Sequence, residues 1–136
     1  MAPVPNCGID IVAISRIERL LKEFPEQFQA YAFTEGERSY CDEQPYPEQH
    51  YAARWAVKEA YLKASPSSEI NRDLSKVEII REERPYLRIK DTAYSEGLYR
   101  DPDSEYSTVP AAISMAHERQ LDLAIGLVCL PASTHD

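Results

Sequence analysis

The sequence predicts a small α+β domain in which an antiparallel sheet packs against one long helix and several shorter helices. Helical periodicity dominates the first half of the chain, whereas alternating or almost wholly apolar stretches dominate the second half. A length of 136 residues with 43% hydrophobic residues suits one domain with an ordinary core. We therefore expect a single domain over residues 1–136, with residues 131–136 as a flexible tail.

A short strand and a helix begin the chain. Side chains alternate over residues 6–14, which predicts a strand with the carboxylate of Asp10 inside it. The segment Ser15–Glu18 has the pattern of a capping box, and apolar residues then recur at helical spacing until Pro25. The exposed face of this helix carries three cations, Arg16, Arg19 and Lys22.

The longest helix is predicted from Pro47 to Ala64, after a shorter helix that a second capping box opens at Thr34. A rotation of about 100° per residue places Glu59 on the apolar face of the long helix. A partly desolvated carboxylate is costly unless a cation accompanies it, so this position requires a metal, a basic partner or a raised pKa. An ordinary ion pair with Lys63, one turn later, is the structural alternative to a functional site.

Strands are predicted in the second half of the chain. Residues 74–81 and 86–89 form a hairpin around a turn at 82–85. Residues 91–99 predict one more short helix, and residues 109–114 and 121–130 predict two further strands.

Charge, hydropathy and cysteine spacing exclude several classes of protein. The formal net charge is −8, whereas binding to a phosphate backbone needs clustered Lys and Arg, so we expect no nucleic acid partner. No apolar run approaches the roughly 20 residues of a membrane helix, and no export signal is visible, so we expect a cytoplasmic protein without a membrane segment. Cys7, Cys41 and Cys129 lack the spacing of a zinc site and predict structural thiols in a reducing compartment.

Four motifs, taken together and in order, resemble a known family. They are Gly8-Ile9-Asp10-Ile11-Val12 with Ser15-Arg16-Ile17; Phe33-Thr34 with Glu37; Ala53-Arg54-Trp55-Ala56 with Lys58-Glu59-Ala60 and Lys63-Ala64; and Ser114 with His117. None is diagnostic alone, but their order and spacing over residues 8–128 resemble the holo-acyl-carrier-protein synthases. The resemblance implies the small phosphopantetheinyl transferase fold.

The resemblance also implies a reaction and its catalytic residues. Members of the family use magnesium to transfer 4′-phosphopantetheine from coenzyme A to a serine hydroxyl of an apo acyl carrier protein, and adenosine 3′,5′-bisphosphate leaves. By this resemblance Asp10 and Glu59 bind the metal, for which hard carboxylate oxygens are suited. Lys63 lies near the phosphates as a point charge and completes the catalytic set. The base that removes the serine proton is either Glu59 itself or a water on the metal.

Substrate-binding residues follow from the same resemblance. His117 donates to the ribose phosphate of coenzyme A, Arg54 assists in binding the nucleotide, and Lys63 and Ser114 belong to the same coenzyme A site. Arg16 falls where the family has an arginine that contacts the carrier protein. The three cations of the first helix, Arg16, Arg19 and Lys22, are therefore predicted to dock the acidic carrier, because short-range pairing persists within about 8 Å despite the net negative charge. The alternative for them is an ordinary solvated helix face.

Oligomeric state and pathway are implied by the family as well. Short members assemble as homotrimers with sites at subunit interfaces, and fatty acid biosynthesis is the family's usual role in lipid metabolism. Two departures, Ser65-Pro66-Ser67-Ser68 in place of a glycine-containing loop and Ser114-Met115-Ala116-His117 in place of Ser-x-Ser-His, predict altered nucleotide contacts. The alternatives are a non-catalytic carrier-binding or coenzyme-A-binding module, and an enzyme acting on another phosphate ester. Retention of both Asp10 and Glu59 favours an enzyme over a module.

Overall fold

Two antiparallel sheets and four helices make up the fold in the computed structural model, which describes residues 4–65, 72–90, 99–100 and 105–132. The elements are β1 (Asn6–Ala13), α1 (Ile14–Glu23), α2 (Pro25–Ala32), α3 (Glu35–Asp42), α4 (Pro47–Ala64), a short 3-10 turn (Leu74–Lys76), β2 (Val77–Ile80), β3 (Tyr86–Lys90), β4 (Tyr99–Arg100), β5 (Tyr106–Thr108), β6 (Ala112–Glu118) and β7 (Leu123–Leu130). The predicted α+β class, with antiparallel sheets on one long helix, is confirmed. No helix in the part of the chain described is both long and apolar enough to cross a membrane.

The first sheet joins the two ends of the chain. Its strand order is β1-β7-β6, and β1 pairs with β7 along its whole length, from Asn6 opposite Leu130 to Ala13 opposite Leu123. The second sheet has the order β2-β3-β5-β4. Helix α4 lies across β1, β7 and β6 and contributes to both clusters of buried apolar side chains. The alternation predicted for β1 is confirmed, since Gly8 and Val12 are buried towards α4.

Glycines in β1 and β7 let α4 lie directly on the sheet. A Cβ atom on Gly8 would overlap the carbonyl oxygen of Ala60, and a Cβ atom on Gly126 would overlap the backbone of Val57. No L side chain fits between helix and strand at these two points. The helix therefore approaches the backbone of β1 and β7 as closely as glycine permits.

Helix boundaries differ from the prediction at α1 and agree with it at α3 and α4. Ser15 does not form a capping box, because the N-cap of α1 is Ala13 without a side-chain hydrogen bond. Asp122, in the β6–β7 turn, instead accepts hydrogen bonds from the backbone N–H and the hydroxyl of Ser15, at 2.8 and 2.5 Å. The capping box at Thr34 is present as predicted. Pro25, read as a helix end, also begins α2, because proline is well suited to the first position of a helix.

The later strands are shifted relative to their predicted bounds. The hairpin is present, but residues 74–76 form a 3-10 turn because Asp73 caps it through the backbone N–H of Ser75. Strand β6 begins only after Pro110, which has no N–H to give to a ladder, and it extends to Glu118. His117 consequently lies within a strand. Three predicted segments lie outside the residues described. They are the helix over residues 91–99, apart from Tyr99 in β4, residues 66–68 of the serine loop, and residues 133–136 of the tail.

A fully buried ion pair ties α3 to α4. The Nζ of Lys58 lies 2.5 Å from the Oε1 of Glu37, and it also donates to the carbonyl oxygens of Ala32 and Leu74 at 2.7 and 3.0 Å. Glu37 in turn accepts from the backbone N–H of Ile79 at 2.9 Å. Burial lowers the pKa of Lys58, and the charge of Glu37 opposes that shift. The lysine of the Lys58-Glu59-Ala60 motif is thus part of the core.

Removing one partner of this pair is expected to cost more than removing both. Lys58→Met leaves Glu37 buried without a cation and should lower the free energy of unfolding by about 3–5 kcal/mol. The double variant Lys58→Met/Glu37→Leu should recover part of that loss. Urea unfolding of the two single variants and the double variant measures the coupling, and additive losses would contradict the pairing.

Candidate functional site

Two carboxylates and a lysine meet where α4 crosses β1. Asp10 lies in β1 on the face that α4 covers, and its Oδ1 accepts a hydrogen bond from the Nζ of Lys63 at 3.0 Å. The same ammonium donates to the carbonyl oxygen of Ile9 at 2.9 Å. Glu59, one turn before Lys63 on α4, is half-buried. The structure thus brings the three predicted catalytic residues to one edge of the helix.

Burial and the neighbouring positive charges act on the pKa of Glu59 in opposite directions. Burial raises the pKa of Glu59, and the neighbouring charge of Asp10 raises it further. Arg72, Lys63 and Arg16 act in the opposite direction. Two carboxylates that repel each other, surrounded by positive groups, are more stable with a cation between them.

The alternative of a simple helical ion pair is not what the structure contains. Among the residues described, the ion pair of Lys63 is with Asp10 on the strand, and no pair joins it to Glu59 on its own helix. The lysine therefore bridges two elements. Its side chain remains 55% exposed, so it is free to turn towards a ligand.

The donor set fits magnesium better than a metal held by the protein alone. Within the described part of the chain, no group of three or more His, Cys, Asp and Glu side chains is placed to hold a metal ion. Asp10 and Glu59 provide two hard oxygen donors, and magnesium commonly takes one or two carboxylates together with waters and substrate phosphates. The ammonium of Lys63 on Asp10 shows that this position already attracts a cation.

A second cluster of nitrogen-bearing side chains surrounds His117. The His117 ring lies 5.2 Å from the ring of His50, which is on α4. Arg54, one turn after His50, is 1% exposed, and its guanidinium lies 4.4 Å above the ring of Tyr40. The Nε of Arg54 and the Nδ1 of His50 are buried without a hydrogen-bond partner among the described residues. Unpartnered buried nitrogens are costly unless a ligand satisfies them.

Burial and neighbouring positive charges lower the pKa of both imidazoles in this cluster. Burial lowers the pKa of His50 to about 4, with further lowering by His117, Arg54 and Arg81. The pKa of His117 is lowered by burial and then by Arg81, while Glu118 opposes the shift. The nearby guanidiniums disfavour a third positive charge, whereas a bound anion would favour imidazolium.

The remaining predicted residues lie outside these two clusters. Ser114 lies on the exposed face of β6, opposite to the face that carries His117, because successive residues of a strand point to opposite sides. It is therefore not brought beside His117 within one chain. Arg16, Arg19 and Lys22 are exposed on α1 as predicted, but Lys22 is paired with Glu18 at 2.9 Å.

Sequence reasoning missed several residues of the two clusters. His50 and Tyr40 beside Arg54, and Arg72 near Glu59, were not singled out. His50 was within reach of a pattern search, because it precedes Arg54 by four residues on the same helix. Arg72 has no such local signal, since it follows the helix by eight residues and adopts a left-handed backbone with φ of 63°.

Comparison with protein families identifies the chain. Residues 6–114 match the model of the 4′-phosphopantetheinyl transferase superfamily, which covers most of the sequence and includes Asp10, Glu59 and Lys63. The chain belongs to this superfamily. The family resemblance seen in the four sequence motifs is confirmed.

Relatives of this chain share its sequence over different lengths. The holo-[acyl-carrier-protein] synthase of Thermodesulfovibrio yellowstonii is 46% identical over 61 residues, which cover 45% of this chain and 54% of that protein. The chain thus matches about half the length of this curated relative. The synthase of Ruminiclostridium cellulolyticum is 29% identical over 127 residues and 90% of both chains. A crystal structure of the Bacillus anthracis synthase in complex with coenzyme A (3′,5′-ADP) has a TM-score of 0.68 and 25% identity, and the match covers 97% of this chain and 100% of that one.

Neutralising Glu59 is expected to stabilise the folded chain in the absence of divalent cations. Because the folded state raises the pKa of Glu59 above its unfolded value, its ionised form destabilises the fold at neutral pH, and this cost disappears when acid protonates the group. Glu59→Gln should therefore raise Tm in EDTA at pH 7 and lose that advantage near pH 4. Glu83→Gln, in an exposed turn, removes the same charge as a control. An equal gain from both variants would contradict the electrostatic description of the site.

Proposed function

We propose that this chain is a holo-acyl-carrier-protein synthase, which transfers 4′-phosphopantetheine from coenzyme A to a serine hydroxyl of an apo acyl carrier protein. The observation that carries the proposal is the meeting of Asp10, Glu59 and Lys63 where α4 crosses β1. Superfamily membership and the likeness to synthases over nearly the whole chain support it. A role in fatty acid biosynthesis and a cytoplasmic location belong to the same proposal, and the free thiols of the chain fit a reducing compartment.

The proposed chemistry assigns a task to each residue of the first cluster. Asp10 and Glu59 would hold magnesium, which would neutralise charge on the phosphoryl oxygens. The ammonium of Lys63 turns from Asp10 to the phosphate as a second positive charge. Glu59 would also take the proton of the carrier serine. The serine oxygen then bonds to phosphorus, and the phosphorus–oxygen bond to adenosine 3′,5′-bisphosphate breaks.

Transfer is expected to require both carboxylates and a divalent cation. Incubation of apo carrier protein with the enzyme, coenzyme A and magnesium should add the mass of one phosphopantetheine to the carrier, and EDTA should prevent it. Asp10→Ala and Glu59→Ala should each reduce the rate at least 100-fold, since each removes a metal ligand. Wild-type rates in either variant would contradict the proposal that Asp10 and Glu59 bind magnesium. No addition across several carriers would instead favour the binding-module alternative.

The second cluster is proposed to hold the 3′-phosphate of coenzyme A. The proposed N–H donors are His117 and the unpartnered nitrogens of His50 and Arg54. Arg54 and Arg81 add positive charge there, and Glu118 opposes it. The guanidinium of Arg54 is fixed by its stacking on Tyr40, so a ligand meets a pre-oriented group. Phosphate bound there would raise the pKa of both imidazoles and so turn them into cationic donors.

Loss of His117 should therefore affect coenzyme A and spare its dephosphorylated form. His117→Ala is expected to raise KM for coenzyme A about 10-fold, because one phosphate hydrogen bond to a charged group is worth roughly 1.5–3 kcal/mol. With 3′-dephospho-coenzyme A as substrate, the wild type and the variant should have the same KM. Steady-state kinetics on both substrates measures this, and an equal rise with both would assign His117 a structural role.

The acidic carrier is proposed to dock on α1, where exposed arginines attract it at short range. Arg16 and Arg19 are exposed, and Arg16 also lies near enough to Glu59 to influence its pKa. A carrier bound along this helix would therefore bring its serine to the edge where Asp10 and Glu59 meet. Because Lys22 is already paired with Glu18, it contributes less to docking than the two arginines.

The outer face of the first sheet is proposed to be the subunit interface of a homotrimer. On the side of this sheet away from α4, Ile9 pairs across from Leu127 and Ile11 from Ile125. Their exposed fractions are 61%, 37%, 58% and 37% in that order, which is unusual for large aliphatic side chains that form one patch. Ser114 lies on the same outer side, on β6, so burial of this face by neighbouring copies would place Ser114 at a subunit interface.

A charged side chain introduced on this face by substitution should separate the subunits. Size-exclusion chromatography with light scattering is expected to give three times the 15.5 kDa chain mass for the wild type. Ile9→Lys should give a folded monomer, because an ammonium there would be buried without a partner. Leu121→Lys, at an exposed turn position away from the patch, is the control and should remain a trimer. A monomeric wild type would contradict the proposed assembly.

A further inference from the structure

An arginine stacks on a tyrosine ring next to the second cluster. The guanidinium carbon of Arg119, the first residue after β6, lies 3.3 Å from the centre of the ring of Tyr46, the residue before α4. A guanidinium that met the ring edge-on would bring a nitrogen to about 2 Å from it, since C–N bonds with double-bond character are about 1.33 Å long. That separation is far inside van der Waals contact, so the guanidinium lies flat on the ring.

This stack is one of two neighbouring contacts that join α4 to the end of β6. Tyr46 precedes His50 by four residues, about one helical turn, and Arg119 follows His117 by two residues, the repeat of a strand. The rings of His50 and His117 have their centres 5.2 Å apart. The two contacts are therefore separated by roughly 6 Å, the rise of four helical residues or of two strand residues.

The backbone of Tyr46 is left-handed, with φ of 55° and ψ of 64°. This conformation is costly for an aromatic residue, whereas glycine and asparagine adopt it readily. The tyrosine side chain does not cap α4 either, since it makes no capping hydrogen bond. Backbone strain of this kind is concentrated at functional sites. The tyrosine is therefore explained by what its ring contacts and not by the start of the helix.

The second face of the Tyr46 ring is open. Tyr46 is 51% exposed although Arg119 covers one face of its ring, so the opposite face is accessible to a ligand. Arg119 is exposed too, and it forms no ion pair with any residue that the structure describes. Aromatic side chains are the surfaces on which proteins commonly stack nucleobases, and a neighbouring arginine adds a cation–π contribution.

We propose that the open face of Tyr46 stacks the adenine base of coenzyme A and makes the enzyme prefer a base-bearing donor. This inference rests on the proposed function, in which the second cluster holds the 3′-phosphate. Adenine and the 3′-phosphate are attached to one ribose, so a phosphate bound by His50 and His117 leaves the base within reach of the neighbouring ring. Arg119, on the opposite face, holds the ring in place and is a positioning residue.

Binding of two sugar bisphosphates that differ only in the base tests the adenine site. The probes are adenosine 3′,5′-bisphosphate and 1-deoxyribose 3,5-bisphosphate, which keeps the sugar and both phosphates. Calorimetric titration of the full-length protein should give about tenfold tighter binding of the adenosine compound, a factor within the range of one stacked base. Tyr46→Leu should lower the ratio of the two dissociation constants to no more than about twofold, because the base loses its stacking surface.

Matched variants separate base stacking from charge and from general loss of stability. Tyr46→Phe keeps the ring and should keep the tenfold ratio, and Tyr31→Leu, at a similarly exposed tyrosine of α2, should keep it too. Arg119→Ala should give a ratio of about threefold, because the ring remains but is no longer held. His117→Ala should weaken both compounds alike and leave their ratio unchanged, because it acts on the phosphate.

Three outcomes would overturn the proposal. They are an equal loss of affinity for both compounds in Tyr46→Leu, which would assign the stack a structural role, equal affinities in the wild type, and no binding of either compound. Carrier mass, measured on the same preparations, tests the transferase proposal separately. Modified carrier without a base preference would contradict only the adenine site, whereas a base preference that depends on Tyr46 without modified carrier would contradict only the transfer.

Discussion

The close approach of α4 to the first sheet is the constraint on which the rest of the structure depends. Gly8 in β1 and Gly126 in β7 leave no room for a Cβ atom against the helix backbone. With nothing between them, Lys63 on the helix reaches both the carboxylate and a backbone carbonyl of β1. The site is thus made from one strand and one helix, whose separation is set by two residues that have no side chain.

Successive residues of α4 serve different parts of the molecule because each is rotated by about 100° from the last. Val57 lies in the core, Lys58 forms the buried ion pair with Glu37, and Glu59 faces the site edge. The Lys58 pair fixes α4 to α3, and Glu37 also accepts a hydrogen bond from Ile79 of β2. Glu59, in contrast, is held in a position where burial and Asp10 both oppose its charge. Such a cost is common at functional sites, where stability is lower than the fold could provide.

Local patterns in the sequence predicted the elements better than the contacts between them. The alternation in β1, the bounds of α4 and the capping box at Thr34 depend on neighbours within a few residues, and these predictions are confirmed. The cap of α1 was missed because its acceptor, Asp122, lies 107 residues away in sequence. The contact between Cys7 and Cys129, whose sulfurs lie 2.7 Å apart, was missed for the same reason, since pairing of the first and last strands has no local signature. Within the candidate site, the family motifs supplied Asp10, Glu59 and Lys63, whereas His50 and Arg72 emerge only when the chain is folded.

Kinetics of a variant that disturbs the approach of α4 while keeping every charged group is the most direct test of this dependence. Gly8→Ala retains Asp10, Glu59 and Lys63 but forces helix and strand apart, and Ser39→Ala on the exposed surface of α3 is the control. Since misplacement by about 1 Å can cost roughly 100-fold in rate, kcat/KM for transfer to the carrier should fall by one to two orders of magnitude while circular dichroism shows a folded protein. A folded Gly8→Ala enzyme with the rate of the wild type would contradict the dependence of the site on this contact.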